Sequence, residues 1–284
     1  MRPFARLALF LVGAGLLQSG CGSGGPLVQQ LNNILPLYQV LDLNTGVLEP
    51  RATLDDLNTN SAYTTTRMVF RQIPAHSVAV GGVQRFTAEV DEPSSVSSPK
   101  TYVAVFEVTQ AQWMLLAGTG AAQNVGRPWE LVPTTVVDAS AYAPPNAGPA
   151  FAITQQNAQD VLLAASARFG HQVDLPTNAQ WETSCRAGSS GSFCWGNTVT
   201  GASTYAVVAE TAPGLTGPVS VATKAANGLG LYDMHGNVWE WTREGQIRGG
   251  SWRDTLPQSR SGNRVTIDPV TRHALVGLRL VLVP

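Results

Sequence analysis

Apolar positions along this chain alternate or cluster in short runs, which predict short strands, few helices and much ordered loop. Leu37 to Leu43 (Leu-Tyr-Gln-Val-Leu-Asp-Leu) reads as one short strand. Arg67 to Ile73 alternates like a half-buried strand and stops at Pro74. Phe86 to Val90 reads as another strand, followed by a Pro/Ser-rich loop from Pro93 to Pro99. Tyr102 to Val108 is a further strand, after which Thr109 can cap a helix over Ala111 to Ala117. Pro128 to Pro149 contains five prolines and no helical period, so it reads as loop with at most one short strand. Thr154 caps the clearest helix, which lines Ala158, Val161, Leu162 and Ala165 on one face up to Phe169 and Gly170. Thr177 with Gln180 three residues later has the form of a capping box and starts a second helix. From Phe193 onward, Gly, Trp and Asn dominate and the periodicity fades. The expected class is α+β, compact and loop-rich, with no internal repeat.

The amino terminus has a different pattern. Met1 to Arg6 carries Arg2 and Arg6 without an acid, and Leu7 to Leu17 is apolar apart from Gly13 and Gly15. Gln18, Ser19 and Gly20 then lead to Cys21. A charged start, a short apolar run and small residues form a secretory signal, too short for a comfortable membrane span. Cys21 after Ser-Gly, followed by Gly-Ser-Gly-Gly, resembles a bacterial lipoprotein cleavage site, with Gln18 where those sites usually carry Leu. The resemblance implies a lipid on Cys21, a flexible tether and contact with the membrane at the cell envelope; plain secretion is the alternative. The expected division is residues 1–20 as signal, 21–64 as tether and extension, and 65–284 as the folded domain. In an oxidising compartment, Cys185 and Cys194 are expected to form a local disulfide across their Gly/Ser-rich loop. Two unpaired buried thiols are the alternative, and no His lies near either in sequence.

Composition narrows the function. Apolar residues make up 44% of the 284 positions, enough for a core and against disorder of the whole chain. Charged residues are 13%, about half of the roughly 25% usual in soluble proteins. The formal charge of −1 argues against a strongly basic nucleic-acid-binding domain. Lys100 and Lys224 are the two lysines beside 16 arginines, a bias that suits hydrogen-bond networks at the edge of a core.

Four stretches carry a signature: Asp174-Leu-Pro-Thr-Asn-Ala-Gln-Trp-Glu182, Trp195-Gly-Asn197, the run from Asn227 to Trp241, and Arg248-Gly-Gly-Ser-Trp252. Arg260-Ser-Gly-Asn-Arg264 and Gly277-Leu-Arg279 follow, and Ile73-Pro-Ala75 and Glu107-Val-Thr109 precede them. Together they resemble the formylglycine-generating enzyme, or sulfatase-modifying factor, family over about residues 65–284. The resemblance implies a compact fold related to C-type lectins. In such a fold Gly serves tight turns and Trp fills gaps between loops.

The same resemblance implies calcium, held by Asp233, the carbonyls of Gly236 and Val238, and Glu240. Hard cations want six to eight oxygens, which such a turn can offer; otherwise Asp233 and Glu240 merely hydrogen-bond loop amides. A second family calcium site would fall where this chain has Ala206-Val207-Val208, and it is not expected here. The family's oxidation of a target cysteine uses copper on two cysteine thiolates between Gly-Gly-Ser and the closing arginines. Here no cysteine follows Cys194, so neither copper nor formylglycine generation is expected. His76, His171, His235 and His273 are dispersed, without ligand spacing, and no nucleophile elbow occurs. The expected role is therefore a module that binds an unidentified ligand or protein at the cell envelope. Its face would be drawn from an exposed Trp252 with Arg253, Asp254, Leu256, Gln258 and Asn263, since Trp and Arg are frequent anchors of binding. Arg260 and Arg264 read as buried structural residues. The alternative is a metal-dependent oxidative enzyme of the same superfamily.

Overall fold

A computed structural model describes residues 36–79, 95–133, 135–137 and 147–283. The signal segment, Cys21 with its tether, and the strand expected over Phe86 to Val90 lie outside the described residues. The amino-terminal strands are Tyr38–Asp42 (β1), Leu48–Arg51 (β2), Arg67–Ile73 (β3), His76–Ala79 (β4), Ser95–Ser98 (β5) and Thr101–Ala104 (β6). Helices Gln110–Ala117 (α1), Gln123–Gly126 (α2), Gln155–Phe169 (α3) and Asn178–Arg186 (α4) follow, with Val173–Asp174 (β7) between the last two. The carboxy-terminal part has one more helix, Ala202–Tyr205 (α5). Its strands are Ala206–Val207 (β8), His235–Gly236 (β9), Trp239–Trp241 (β10), Gln246–Arg248 (β11), Arg264–Thr266 (β12), Val276–Gly277 (β13) and Val281–Leu282 (β14).

Sheet order places the last described strand inside the first sheet. A six-stranded sheet runs β2-β1-β3-β6-β14-β7, so the last strand inserts between β6 and β7 and pairs antiparallel with both. A second sheet runs β12-β11-β10-β13, with β10 and β13 parallel. Only three residues separate β13 from β14, so Leu278, Arg279 and Leu280 bridge the two sheets, and all three are fully buried. Gly277 is needed there for space: a Cβ at this position would lie 2.3 Å from the Ala150 carbonyl oxygen.

The three longer helices start where side chains can satisfy their first amides. Thr109 with Gln112, and Thr177 with Gln180, form complete capping boxes on α1 and α4. Thr154 accepts from the Asn157 amide at the start of α3, and Gly170 in the left-handed region ends that helix. Ala158, Val161, Leu162, Ala165 and Phe169 of α3 are buried, as the spacing predicts. They join one core with Trp113, Trp241, Trp252 and strand residues of both sheets.

Three local expectations fail. Arg67–Ile73 is a strand, but it is buried on both faces rather than one, since Met68 and Phe70 pack in the main core and Val69 in a second cluster. Ser95–Ser98 is a strand rather than loop, paired with β4 in a separate two-stranded ribbon. Its Ser-Val-Ser-Ser sequence has little apolar signal, so pairing with β4 decides its conformation. The strand expected over Tyr102 to Val108 leaves the ladder after Ala104, although Val105 still donates to the Val69 carbonyl.

Gly277→Ala is expected to destabilise the domain by several kcal/mol, about the cost of forcing backbone apart in a packed core. Urea unfolding should show a lower midpoint at unchanged slope, whereas an unaltered midpoint would mean that the bridge yields to the methyl group.

Candidate functional site

Two apolar runs each contain one charge: Glu107 within Val103–Val108 and Arg279 within Val276–Val283. Both are fully buried, and the fold brings them to the Asp233–Glu240 turn. Arg279 uses every N–H it has. Nη1 donates to the carbonyls of Ala104 (2.9 Å) and Val105 (3.0 Å), and Nη2 to Tyr232 O (2.7 Å) and Glu240 Oε1 (2.8 Å). Nε lies 3.1 Å from both oxygens of Glu240. Glu240 Oε2 also accepts from the Trp181 indole at 2.6 Å, which ties α4 into the same junction. Glu107 accepts from Asn237 Nδ2 (2.6 Å) and from the Val238 amide (3.1 Å).

Asp233 sits in the left-handed region at φ +58° and accepts from the Ala222 amide at 2.7 Å through Oδ2. Its Oδ1 is buried without a hydrogen-bond partner. Burial raises the Asp233 carboxyl to about 6, against the opposing pull of the Ala222 amide and Arg279. Burial, reinforced by the charges of Asp233 and Glu240, pushes Glu107 well above the usual carboxylate range. The predicted metal ligands Asp233 and Glu240 thus share one buried cluster, but Glu240 is already engaged by Arg279 and Trp181. Gly236, at φ +95°, could not be replaced: a Cβ would stand 2.0 Å from the Val207 carbonyl oxygen. Val238 is buried beside it. Among the described residues, no group of three or more His, Cys, Asp or Glu side chains has the arrangement of a metal site.

His235 of β9 has partners that the sequence did not reveal. Its Nδ1–H donates to the Ser259 carbonyl (2.7 Å), leaving Nε2 to accept. The Cys194 amide reaches Nε2 at 3.2 Å, and Cys185 Sγ lies 3.6 Å from it. A histidine therefore does lie beside both cysteines, brought from about 40 residues away in sequence by the β9 turn. Both cysteines are free thiols. Burial lowers His235 to about 4, so its imidazole is neutral.

The expected ligand face is largely rearranged. Trp252 is 6% exposed and belongs to the main core rather than the surface. The Gly249-Gly250 turn directs its indole inward, since its amide is bound to the Asn237 carbonyl. Asp254 accepts from the Trp239 indole at 2.8 Å and also bonds Ser251 Oγ. Gln258 is exposed, but its side chain caps Thr255, while Asn263 donates to the Gln258 carbonyl at 2.7 Å. Arg253 is exposed, and Arg260 is buried, as read from the sequence. Arg264 is only half-buried.

Leu256 lines a cavity of about 810 Å³. The opposite wall comes from Phe193, Val199, Ala202, Ser203 and Glu210, which sequence patterning did not mark. Behind it Trp195 stacks on Phe193 (4.6 Å) and on Tyr205 (5.5 Å). Glu210 accepts from the Leu256 amide at 2.9 Å and so joins the two walls. The available signal was Val199, an apolar residue 73% exposed in a polar Asn-Thr-Val-Thr stretch.

The buried groups oppose each other in pH dependence. Asp233 is an acid whose folded value, about 6, lies above its ordinary 3.8, so its penalty is absent below 3.8 and complete above 6. His235 is a base whose folded value, about 4, lies below its ordinary 6.5, so its stabilising effect is present above 6.5 and lost towards 4. Asp233→Asn removes the first contribution, together with the part of the Glu107 rise that the Asp233 charge causes, and leaves that of His235. In chelator-containing buffer the variant should gain on wild type between about pH 4 and pH 7, by roughly 3 kcal/mol from Asp233 itself. An offset that does not change between those two pH values would contradict this.

Comparison with known proteins agrees with the geometry. The family model for the sulfatase-modifying factor enzyme 1-like domain matches residues 58–283. The formylglycine-generating enzyme of Mycobacterium tuberculosis is 40% identical over 79 residues, 24% of this chain and 26% of that enzyme. The mouse protein named inactive C-alpha-formylglycine-generating enzyme 2 is 37% identical over 103 residues, 30% of this chain and 33% of that protein. These alignments span only about a quarter to a third of the curated relatives. Among solved structures, Treponema denticola variable protein 1 superposes with TM-score 0.61 at 20% identity, covering 77% of this chain and 96% of that one. PvdO from Pseudomonas aeruginosa superposes with TM-score 0.59 at 22% identity, covering 75% and 94%. At such identities the two structures establish the shared fold alone. With the family model spanning the Arg279 junction, the capping boxes and the Gly-Gly-Ser turn, this chain belongs to the sulfatase-modifying factor enzyme 1-like domain family.

Proposed function

We propose that this chain is a binding member of the family that does not generate formylglycine, exported and held at the cell envelope by a lipid on Cys21. The observation that carries the reading is the cavity beside Leu256. Its volume of about 810 Å³ falls within the range of small-ligand sites, and its walls are mostly apolar with a few convergent polar groups. It lies against the segment after Gly-Gly-Ser-Trp, where the family resemblance places ligand contact. That segment holds no thiol from Arg253 to Arg264, and hydroxyl or carboxylate groups are poor substitutes for thiolates on Cu(I). The name of the mouse relative is consistent with inactive members in this family.

Calcium belongs to the proposal as a structural ion. Asp233 Oδ1 is a buried oxygen without a hydrogen-bond partner, which fits a hard cation. Asp233 and Glu240, with the carbonyls of Gly236 and Val238, would hold it, with Glu240 shared with Arg279. The ion would supply charge to a cluster of three carboxylates and one guanidinium.

The cavity is tested by Ser203→Trp, an exposed lining position where an indole would fill the space without disturbing the core. A fragment library screened by ligand-observed NMR should give binders whose signals are lost on the variant. Fragments that bind wild type and Ser203→Trp equally would remove this cavity as the site. For the anchor, Cys21→Ser should move the protein from the membrane fraction to the soluble one, and unchanged fractionation would refute lipidation.

A further inference from the structure

The two cysteines of the folded domain meet one imidazole nitrogen, Cys185 through its thiol and Cys194 through its backbone amide. Cys185 lies on the last turn of α4, fully buried, with Sγ 3.4 Å from Ser261 Oγ and 3.6 Å from His235 Nε2. Cys194 lies on the loop after α4, only half-buried, and its amide donates to the same Nε2. That loop also supplies Ser192, Phe193 and Asn197 to the cavity wall. Helix α4 is fixed from the other side: Arg186 pairs with Glu182 at 2.8 Å and donates to the Gly191 carbonyl at 2.7 Å, and Arg248 reaches the second oxygen of Glu182 at 3.1 Å. One cysteine is therefore on a rigid support and the other on the accessible loop that walls the cavity.

We propose that Cys185 and Cys194, held beside the same His235 nitrogen, are a redox pair that closes to a disulfide and ties the cavity loop to α4. The oxidant is a small-molecule disulfide. Cys194, the accessible partner, attacks it as thiolate, forming a mixed disulfide and releasing one thiol. The Cys185 sulfur then attacks Cys194 Sγ as its S–H proton is lost, and the departing second small thiolate takes up that proton. Two protein thiols are oxidised to one disulfide while the small disulfide is reduced to two thiols. Burial keeps the pair slow to react: the Cys194 thiol is pushed up to about 12, and Cys185 is raised further still. Closure joins residues whose loop already carries the Phe193–Gly196 bridge, so it needs little new order.

The full chain is incubated with oxidised glutathione, alkylated, and digested without reduction. The expected product is a peptide pair joined through Cys185 and Cys194, two hydrogen atoms lighter than the separate thiol peptides and released by reductant. The oxidised protein should melt several degrees above the reduced one, and Cys185→Ser and Cys194→Ser should each abolish that difference. Cys194→Ser keeps the test valid if the buried Cys185→Ser fails to fold. Full alkylation of both thiols after oxidant treatment of the folded protein would overturn the proposal. So would a mixed disulfide on Cys194 that Cys185 never resolves, or a melting difference that persists in Cys194→Ser.

Discussion

The fold depends on one buried guanidinium. Arg279 lies on the three-residue bridge between β13 and β14, with no solvent to satisfy its five N–H groups. It reaches β6 through the carbonyl of Ala104, the chain just after β6 through Val105, the turn before β9 through Tyr232, and β10 through Glu240. Glu240 in turn holds the Trp181 indole of α4. Removing either charge would strand the other in the core, a loss typically of about 3–5 kcal/mol. Both sheets and one helix are therefore registered against a single ion pair, which a loop-rich domain with two-residue strands needs more than a regular one does.

This arrangement separates the residues that hold the fold from those free to face a ligand. Asp233, His235, Glu240, Arg248 and Trp252 sit in motif stretches yet are all buried. Among the described residues, one surface outside this junction is the cavity between the 192–211 stretch and Leu256, whose lining takes Asn197 from the Trp-Gly-Asn motif and otherwise lies outside the motif stretches. In such a scaffold the cavity lining can vary while the buried junction stays constant, which suits a module that presents a binding site. A second buried network, Glu182 with Arg186 and Arg248, supports the wall nearest the cavity from behind.

Much of the scaffold was legible in the sequence. The caps at Thr109, Thr154 and Thr177 are local signals, set by the first amides of a helix; Arg67 to Ile73 is a strand as read, but its burial on both faces depends on packing that its own sequence does not show. The strand at Ser95–Ser98 was not legible, because only its pairing with β4 makes it a strand. Glu107 and Arg279 did carry a signal, since a lone charge inside an apolar run demands a buried partner. Which partner it finds depends on β14 inserting beside β6, a contact over about 180 residues. Trp252 was misplaced for a related reason: the motif fixes its spacing, but the Gly249-Gly250 turn decides that the indole points inward. The His235 contact with both cysteines is equally non-local, and the cavity arises from apolar residues too scattered to form a pattern.

The proposal that this scaffold keeps the family's architecture without its oxidation chemistry is open to direct test. The most direct measurement is a turnover assay: the purified chain is loaded with Cu(I), supplied with oxygen and a cysteine-containing sulfatase-type peptide, and the peptide's mass is followed. The cysteine is expected to persist, and no aldehyde-trapping reagent to add to the peptide. Time-dependent conversion to an aldehyde, abolished by a Cu(I) chelator, would contradict the proposal and show that thiolates other than those of the familiar segment serve the metal.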